Sequence, residues 1–505
     1  MKIFKSDQQR EIDRFTIENE PIASINLMER AAIQCSNWLF KKYDRNRTFK
    51  IFTGSGNNGG DGLAIARLLK AKDFKVEVFL VKGGNKLSPD AAQNLEWLTL
   101  NSTVPIIEIN SSDQFPQIYK DDIIIDALFG SGLTRQPDGI FAETIEYLNH
   151  CPGAKIAIDI PSGLSGENNT NESIGFNAHH TLTFQFPFLS FFFAENSNFV
   201  GQWHLLDIGL HPNIIHQLQT DWYLTGLENI VIKKRPEFGN KGTFGHSLIF
   251  AGSTGMAGAA VLTSKACLRS GCGLVTVHVP YSLSNIIHSS FPEALVSNDE
   301  EKSFITSIPD ISKFSAIGIG PGIGKDKKTQ SLLIELIKKS EKPLVIDADA
   351  LNIFALNKEW IKNIPKNSIL TPHPGEFDRL FGASENNFER LIKQQYMSKE
   401  LGVVIILKGR YTCISFPDGS CHFNPTGNAG MATAGAGDVL TGIIVSLLSQ
   451  GYEPQRAALT GVFLHGMAGD LAVEDLGQEA LIASNIIQYI AKAFLKIKYS
   501  KNEDN

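Results

Sequence analysis

NPTGNAGMATAGAGDVLTGII, residues 424–444, runs from a glycine-rich loop straight into an apolar helix. Gly435 and Gly437 flank Ala436, and the helix is expected to begin at Asp438. Backbone N–H groups at such a turn converge on one point, where the helix dipole adds about half a positive charge. Small residues matter there because a larger side chain would hold a phosphate off the backbone. A carboxylate is out of place beside a polyphosphate. Asp438 therefore reads in two ways: as a base that takes a proton from an attacking hydroxyl, or as a helix cap, a role Asp fills well.

Other strand ends of this half carry pieces of the same kind. AGSTGMAGAA (251–260) turns through glycines into a helix, and GIGPGIG (318–324) brings backbone close to a ligand. VIDADALN (345–352) puts Asp347 and Asp349 at a strand terminus, where α/β sheets bind ligands. ILTPHPGEF (369–377) fixes His373 between two prolines, and ILKGRYT (406–412) ends a strand with Lys408 and Gly409. The strands themselves (HSLIFAG, LVTVHVP, FSAIGIGPG, KPLVIDADA, GVVIILKG) are short and apolar, as buried parallel strands are. Residues from 438 onward read as helices, with the tail SKNEDN expected to fray.

A similar alternation fills residues 51–210, after a helical arm at 6–18 and 23–43. Strand, helix, strand in this rhythm indicates a parallel sheet covered on both faces. The rhythm is lost between 211 and 238, ending in KKRPEFGNKG, so two domains, 1–215 and 239–505, are expected around a 216–238 linker. TGSGNNGGDGLAIARLL (53–69) contains Gly54-x-Gly56-x-x-Gly59, a weak dinucleotide fingerprint, and a polar loop, Asn57 to Asp61, where backbone would meet phosphate. IIIDALFGSGL (123–133) and AIDIPSGL (157–164) leave Asp126 and Asp159 at neighbouring strand ends. That pair suits a cation site, an acid/base site or both; short acids also cap loops.

Composition narrows the classes. An apolar fraction of 43% with 20% charged residues excludes wholesale disorder, and a net charge of −6 argues against a broad nucleic-acid or membrane surface. Six scattered cysteines form neither a disulfide framework nor a zinc pattern. The charged start MKIFKSDQQREIDRF has no apolar core of a secretory signal, so a cytoplasmic enzyme is expected, without nucleic-acid or membrane partners. A homo-oligomer is expected because most soluble assemblies are symmetric.

In their order along the chain, GSTGMAGA, GPGIG, DADALN, TPHPGEF, LKG and GNAGMATAGAGD resemble the ADP/ATP-dependent NAD(P)H-hydrate dehydratase family, over about residues 240–495. The resemblance implies a three-layer α/β domain of the ribokinase-like kind. Such enzymes restore a nicotinamide ring hydrated at C6 at the expense of a nucleotide. Asp438 would activate the hydrate's hydroxyl for phosphorylation, before phosphate is eliminated. Lys408, Gly409, Arg410, Tyr411, Thr412 and Gly437 would lie along ADP or ATP, and Ala259, Gly322 and His373 would line the hydrate pocket. Mg²⁺ would accompany the nucleotide, carried mainly by phosphates and water.

The N-terminal motifs resemble the NAD(P)H-hydrate epimerase family over about residues 1–215, which implies a second three-layer α/β domain, Rossmann-like, that interconverts the R and S hydrates at C6. Asn58, Asp126 and Ser162 would contribute to a K⁺ site, and Asp159 would be the acid/base. Asn57, Asn58, Gly59, Gly60 and Asp61 would hold the substrate, with Gly130, Ser131, Gly132, Leu133, Thr134, Arg135 and Gln136. One position departs from the family, which usually shows Pro-Lys where this chain has Pro187-Phe188. Either epimerisation is impaired, or the phenylalanine-rich run packs in the core and Asp159 suffices. Two rivals stand beside the double resemblance: a small-molecule kinase sharing the GAGD loop, and an N-terminal half that only binds nucleotides or a protein.

Overall fold

A computed structural model describes residues 1–133, 135–168 and 174–503; Thr134, expected at the substrate, lies outside the described residues. They form two compact units, residues 2–220 with 386–388, and residue 1 with 221–385 and 389–505.

In the first unit the strands lie in the order Ile106–Ile109, Lys75–Val81, Thr48–Thr53, Ile123–Ala127, Ala154–Ile158, His180–Phe184 and Gln202–Leu206, and every pair is parallel. Successive side chains of a strand point to opposite faces. Thus Ile51 packs with Leu39, Leu63 and Leu98 on one side, and Phe52 with Phe79, Phe141 and Ile145 on the other. Burial on both faces makes these strands near-continuous apolar runs. The chain winds in opposite directions from Thr48–Thr53 and Ile123–Ala127, which opens a crevice at their carboxyl ends.

The polar stretch after the first strand is not a loop. Asn57–Lys70 is one helix, so Asn57 to Asp61 form its opening turns. Close packing overrides the turn propensity of Asn and Gly. A Cβ on Gly59 would stand 2.0 Å from the Gly54 carbonyl oxygen, and one on Gly62 2.7 Å from the Ala127 side chain. The helices Ser6–Asn19 and Ser24–Lys42 precede the sheet, and Ile12 and Leu27 anchor them against Phe186, Ile208 and Ile214.

The second unit runs Trp222–Leu224, Cys421–Phe423, Cys413–Ser415, Val404–Leu407, Ile369–Leu370, Leu344–Ile346, Ala316–Ile319, His246–Phe250, Leu274–Val279 and Leu295–Asn298. From Val404–Leu407 to Leu295–Asn298 the pairing is parallel. Cys413–Ser415 pairs antiparallel with both its neighbours. Within the expected linker 216–238, Trp222–Leu224 is itself a strand of this sheet. Ile249 faces one core with Val445 and Leu464, and Leu248 and Phe250 face another with Leu333 and Phe354. The strand order switches between His246–Phe250 and Ala316–Ile319. The helix Ala483–Glu503 continues through most of the tail expected to fray.

Candidate active sites in the two units

In the C-terminal unit a cavity of about 870 Å³ opens at the sheet's carboxyl edge, lined by His373, Lys408, Gly409, Arg410, Thr412, Gly437 and Asp438 of the expected residues. The helix Ala436–Ser449 starts two residues earlier than expected, capped by Gly435 in a left-handed conformation (φ 85°). Asp438 is therefore the third helical residue and not the cap, and its side chain makes no capping bond. Gly435 suits that turn because a left-handed backbone costs it nothing. At Gly437 a Cβ would stand 3.4 Å from Lys408 Nζ, so the glycine leaves the helix N-terminus open.

Lys408 Nζ donates to Asp347 Oδ1 at 2.9 Å, and Thr441 Oγ1 donates to Asp347 Oδ2 at 2.7 Å. Burial works against the lysine's charge, but Asp347 and Glu376 outweigh it and hold its pKa above the ordinary value. Burial, then the nearby Asp347 charge, push Asp438 up to about 7. A carboxyl poised near neutrality in a cleft is what a general base requires.

His373 caps the helix Pro374–Phe381, its Nδ1 accepting from Gly375 N at 3.1 Å while half the side chain stays exposed to the cavity. Gly409 N donates to Thr412 Oγ1, and Arg410 stacks over Tyr411, which is not part of the cavity lining. Ala259 and Gly322 also lie outside that lining. They meet at the switch in strand order, where a Cβ on Gly322 would stand 3.0 Å from that of Ala259. Asp349 is engaged by Gly324 N at 3.0 Å. His465, a cavity residue that no motif pointed to, comes from the helix Pro454–Leu476; its Nε2 is buried without a partner, and burial pushes its pKa down to about 4.

In the N-terminal unit a cavity of about 510 Å³ occupies the crevice between the two central strands. Asn57, Asn58, Asp61, Gly130, Ser131, Gly132, Leu133, Arg135 and Asp159 line it. Gly59 and Gly60 do not, since they face inward, Gly60 against Met28 and Ala91. Gln136 turns elsewhere and accepts from Ile174 N at 3.0 Å. Asp159 has a left-handed backbone (φ 67°), rare for a residue with a side chain and typical of functional positions. Ser131 N donates to its Oδ2 at 3.1 Å, and burial lifts its carboxyl to about 7.

Behind it Asp126 is fully buried. Ser162 Oγ donates to its Oδ1 at 2.6 Å and Ser162 N to its Oδ2 at 2.8 Å; burial still lifts the acid to about 6. Asn58 donates through Nδ2 to the Phe129 and Ile158 carbonyls, leaving Oδ1 buried with no partner. Sequence reasoning missed a contribution from the first helix, Gln9, Arg10 and Asp13.

The profile described as NAD(P)H-hydrate dehydratase matches residues 247–492, and that of the YjeF-related protein N-terminus matches 24–189. The bifunctional NAD(P)H-hydrate repair enzyme of Moorella thermoacetica is 33% identical, over 97% of this chain and 96% of its own length. The chain belongs to the bifunctional NAD(P)H-hydrate repair enzyme family. The Escherichia coli member is 31% identical over 99% of this chain and 96% of its own. A solved Bacillus subtilis ADP/ATP-dependent NAD(P)H-hydrate dehydratase, co-crystallised with ATP and Mg²⁺, is 29% identical, covering 55% of this chain and 98% of that one at a TM-score of 0.47.

Against the family pattern, Phe188 is the residue to place. It is fully buried with Ile160, Leu164, Phe191 and Val200, while Phe184 and Phe186 of the same run reach the cavity. Among the described residues no helix is long and apolar enough to cross a membrane.

Proposed function

We propose that this chain repairs hydrated NADH and NADPH in two steps. The N-terminal half, residues 1–215, epimerises the R and S hydrates; the C-terminal half, 239–505, dehydrates the S hydrate at the expense of ADP or ATP, with 216–238 between them. Asp438 carries the reading, as a half-neutralised carboxyl at a helix N-terminus built for phosphate. A pure binding site gains nothing from an acid there.

In the C-terminal cavity the hydrate's C6 hydroxyl gives its proton to Asp438 while its oxygen bonds the terminal phosphorus, whose bond to the rest of the nucleotide breaks. C5 then gives up a proton, the C6–O bond breaks with release of phosphate, and the C5=C6 double bond of the dihydropyridine returns. Lys408 and the opening N–H groups of the helix face the phosphoryl charge. Ala259, Gly322 and His373 hold the hydrate, and the 408–412 turn with Gly437 holds the nucleotide. Mg²⁺ neutralises phosphate charge in such transfers. Asp347 is engaged by Lys408 and Thr441, so the ion's ligands would come mainly from phosphates and water.

In the N-terminal cavity Asp159 exchanges protons with the nicotinamide end of the hydrate. Asn57, Asn58 and Asp61, with Gly130, Ser131, Gly132, Leu133 and Arg135, surround the rest of it. The orphaned Asn58 Oδ1, beside the Asp126–Ser162 pair, is an all-oxygen donor set that suits K⁺. The ion would tie together the loops that bear Ser131 and Asp159. Phe188, packed in the core, leaves this chemistry to the carboxyls.

Separated R and S NADH hydrates, incubated with the chain, Mg²⁺ and ADP or ATP, test the reading. Recovery of reduced-nicotinamide absorbance from the S form with phosphate release supports the dehydratase. Clearance of the R form faster than it epimerises unaided supports the epimerase. A stable phosphorylated product instead would point to a small-molecule kinase, and no nucleotide-dependent recovery from either hydrate would overturn the reading.

A further inference from the structure

The first helix, Ser6–Asn19, reaches the N-terminal cavity from outside the matched family segment, which begins at residue 24. Its position is fixed from two sides. Ile12 is fully buried in an apolar cluster, and Thr16 Oγ1 accepts from His211 N at 3.0 Å. Next to Ile12, Asp13 lines the same cavity as Asp159 and Asp61. Among the described residues Asp13 makes no hydrogen bond or ion pair, although burial pushes its carboxyl up to about 6. The buried, unpartnered Asn58 Oδ1 in the same cavity independently marks it as a place for a ligand.

We propose that Asp13 is the second catalytic carboxyl of the epimerisation, working with Asp159 on the two faces of the hydrate's C6. This role presupposes the epimerase function proposed above. The C6 carbon bears a hydroxyl and is bonded to the ring nitrogen N1. One carboxyl, in its acid form, gives a proton to the hydroxyl; the C6–O bond breaks, the N1 lone pair forms a C6=N1 iminium, and water is released. Water then adds to C6 from the opposite face, the C=N electron pair returns to N1, and the other carboxylate takes the proton. One proton enters and one leaves, with no oxidant or further reactant, and the reverse direction exchanges the two roles.

That cycle needs one carboxyl protonated and its partner ionised, as two acids in one desolvated cavity are. The groups that face Asp13 favour this. Asp159 and Asp61 are acids raised by burial, and the Cys35 thiol behind them is pushed well above its ordinary value. The cations at the cavity are Arg10 on the same helix and Arg135 on the loop after Ile123–Ala127.

The test follows R-to-S interconversion by the full chain without nucleotide. Asp13→Asn is expected to lower kcat by about 10²–10⁴, toward the unaided rate, and to remove one limb of a bell-shaped pH profile. Asp13→Glu should recover part of the rate, and S-hydrate dehydration should be unchanged in both variants. Wild-type kcat in Asp13→Asn, or a raised KM with both limbs intact, would overturn the catalytic role while leaving the epimerase function standing. A wild-type chain that interconverts the hydrates no faster than they do unaided would overturn that function itself, and this role with it.

Discussion

Asp438 and Asp159 occupy equivalent places, each at the carboxyl edge of a parallel sheet, and burial lifts each to about 7. Their surroundings differ. Asp438 stands in the first turn of a helix, near a lysine whose charge is locked by Asp347. Asp159 is itself the strained residue, has no ion pair among the described residues, and shares its cavity with Asp13 and Asp61. Phosphoryl transfer needs fixed positive charge and exposed backbone donors next to the base. Loss and return of water at a carbon needs only acids kept between their two ionisation states. In the proposed reading, one pKa serves two chemistries because the neighbours differ.

The contrast breaks most visibly at Asp438. Asp438→Asn should cost about 10²–10⁴ in S-hydrate dehydration while R-to-S interconversion proceeds unchanged, measured on the same preparation. Phe188→Ala should destabilise the N-terminal unit by about 3–5 kcal/mol, read as a loss in denaturant midpoint, because the side chain fills a fully buried site. A catalytic or substrate-binding residue at that position would instead slow turnover with stability intact. Lys408→Met leaves Asp347 buried without its cation and should cost about 3 kcal/mol. Because Lys408 holds Asp438 down, the acid limb of the dehydration profile should also move to higher pH in that variant.

The smallest effect is on stability against pH. Asp438 has a folded pKa above its unfolded one, so the unfolded state releases the proton first and gains on the folded state as pH rises from about 4 to about 7. Asp438→Asn should therefore stabilise the chain by on the order of 1–3 kcal/mol at pH 8 and by almost nothing at pH 4, measured by thermal unfolding. Equal stabilisation at both values would mean that Asp438 is not buried as described.

Much of this was legible in the order of residues. The GAGD turn exposed Asp438 because a carboxylate in a phosphate loop contradicts its surroundings, and Asp126 and Asp159 stood out at the ends of apolar strands. What stayed hidden depended on tertiary contact. Asn57 to Asp61 look like a loop by propensity, yet the packing of Gly59 and Gly62 on the sheet winds them into a helix. Asp13 lies on an ordinary amphipathic helix, where local pattern cannot distinguish a cavity acid from a solvated one. His465 sits within an apolar helix 27 residues past Asp438, and only the fold brings it to the cavity.

The most direct measurement gives R hydrate alone to Asp159→Asn and Asp438→Asn chains, with ADP or ATP and Mg²⁺, and follows both hydrates and the restored dinucleotide. Two cavities acting in sequence predict that Asp159→Asn leaves the R form no faster than it epimerises unaided, while clearing added S hydrate at the wild-type rate. Asp438→Asn should equilibrate R with S and restore almost nothing. Rapid clearance of R hydrate by Asp159→Asn would contradict the assignment of the first step to the N-terminal cavity.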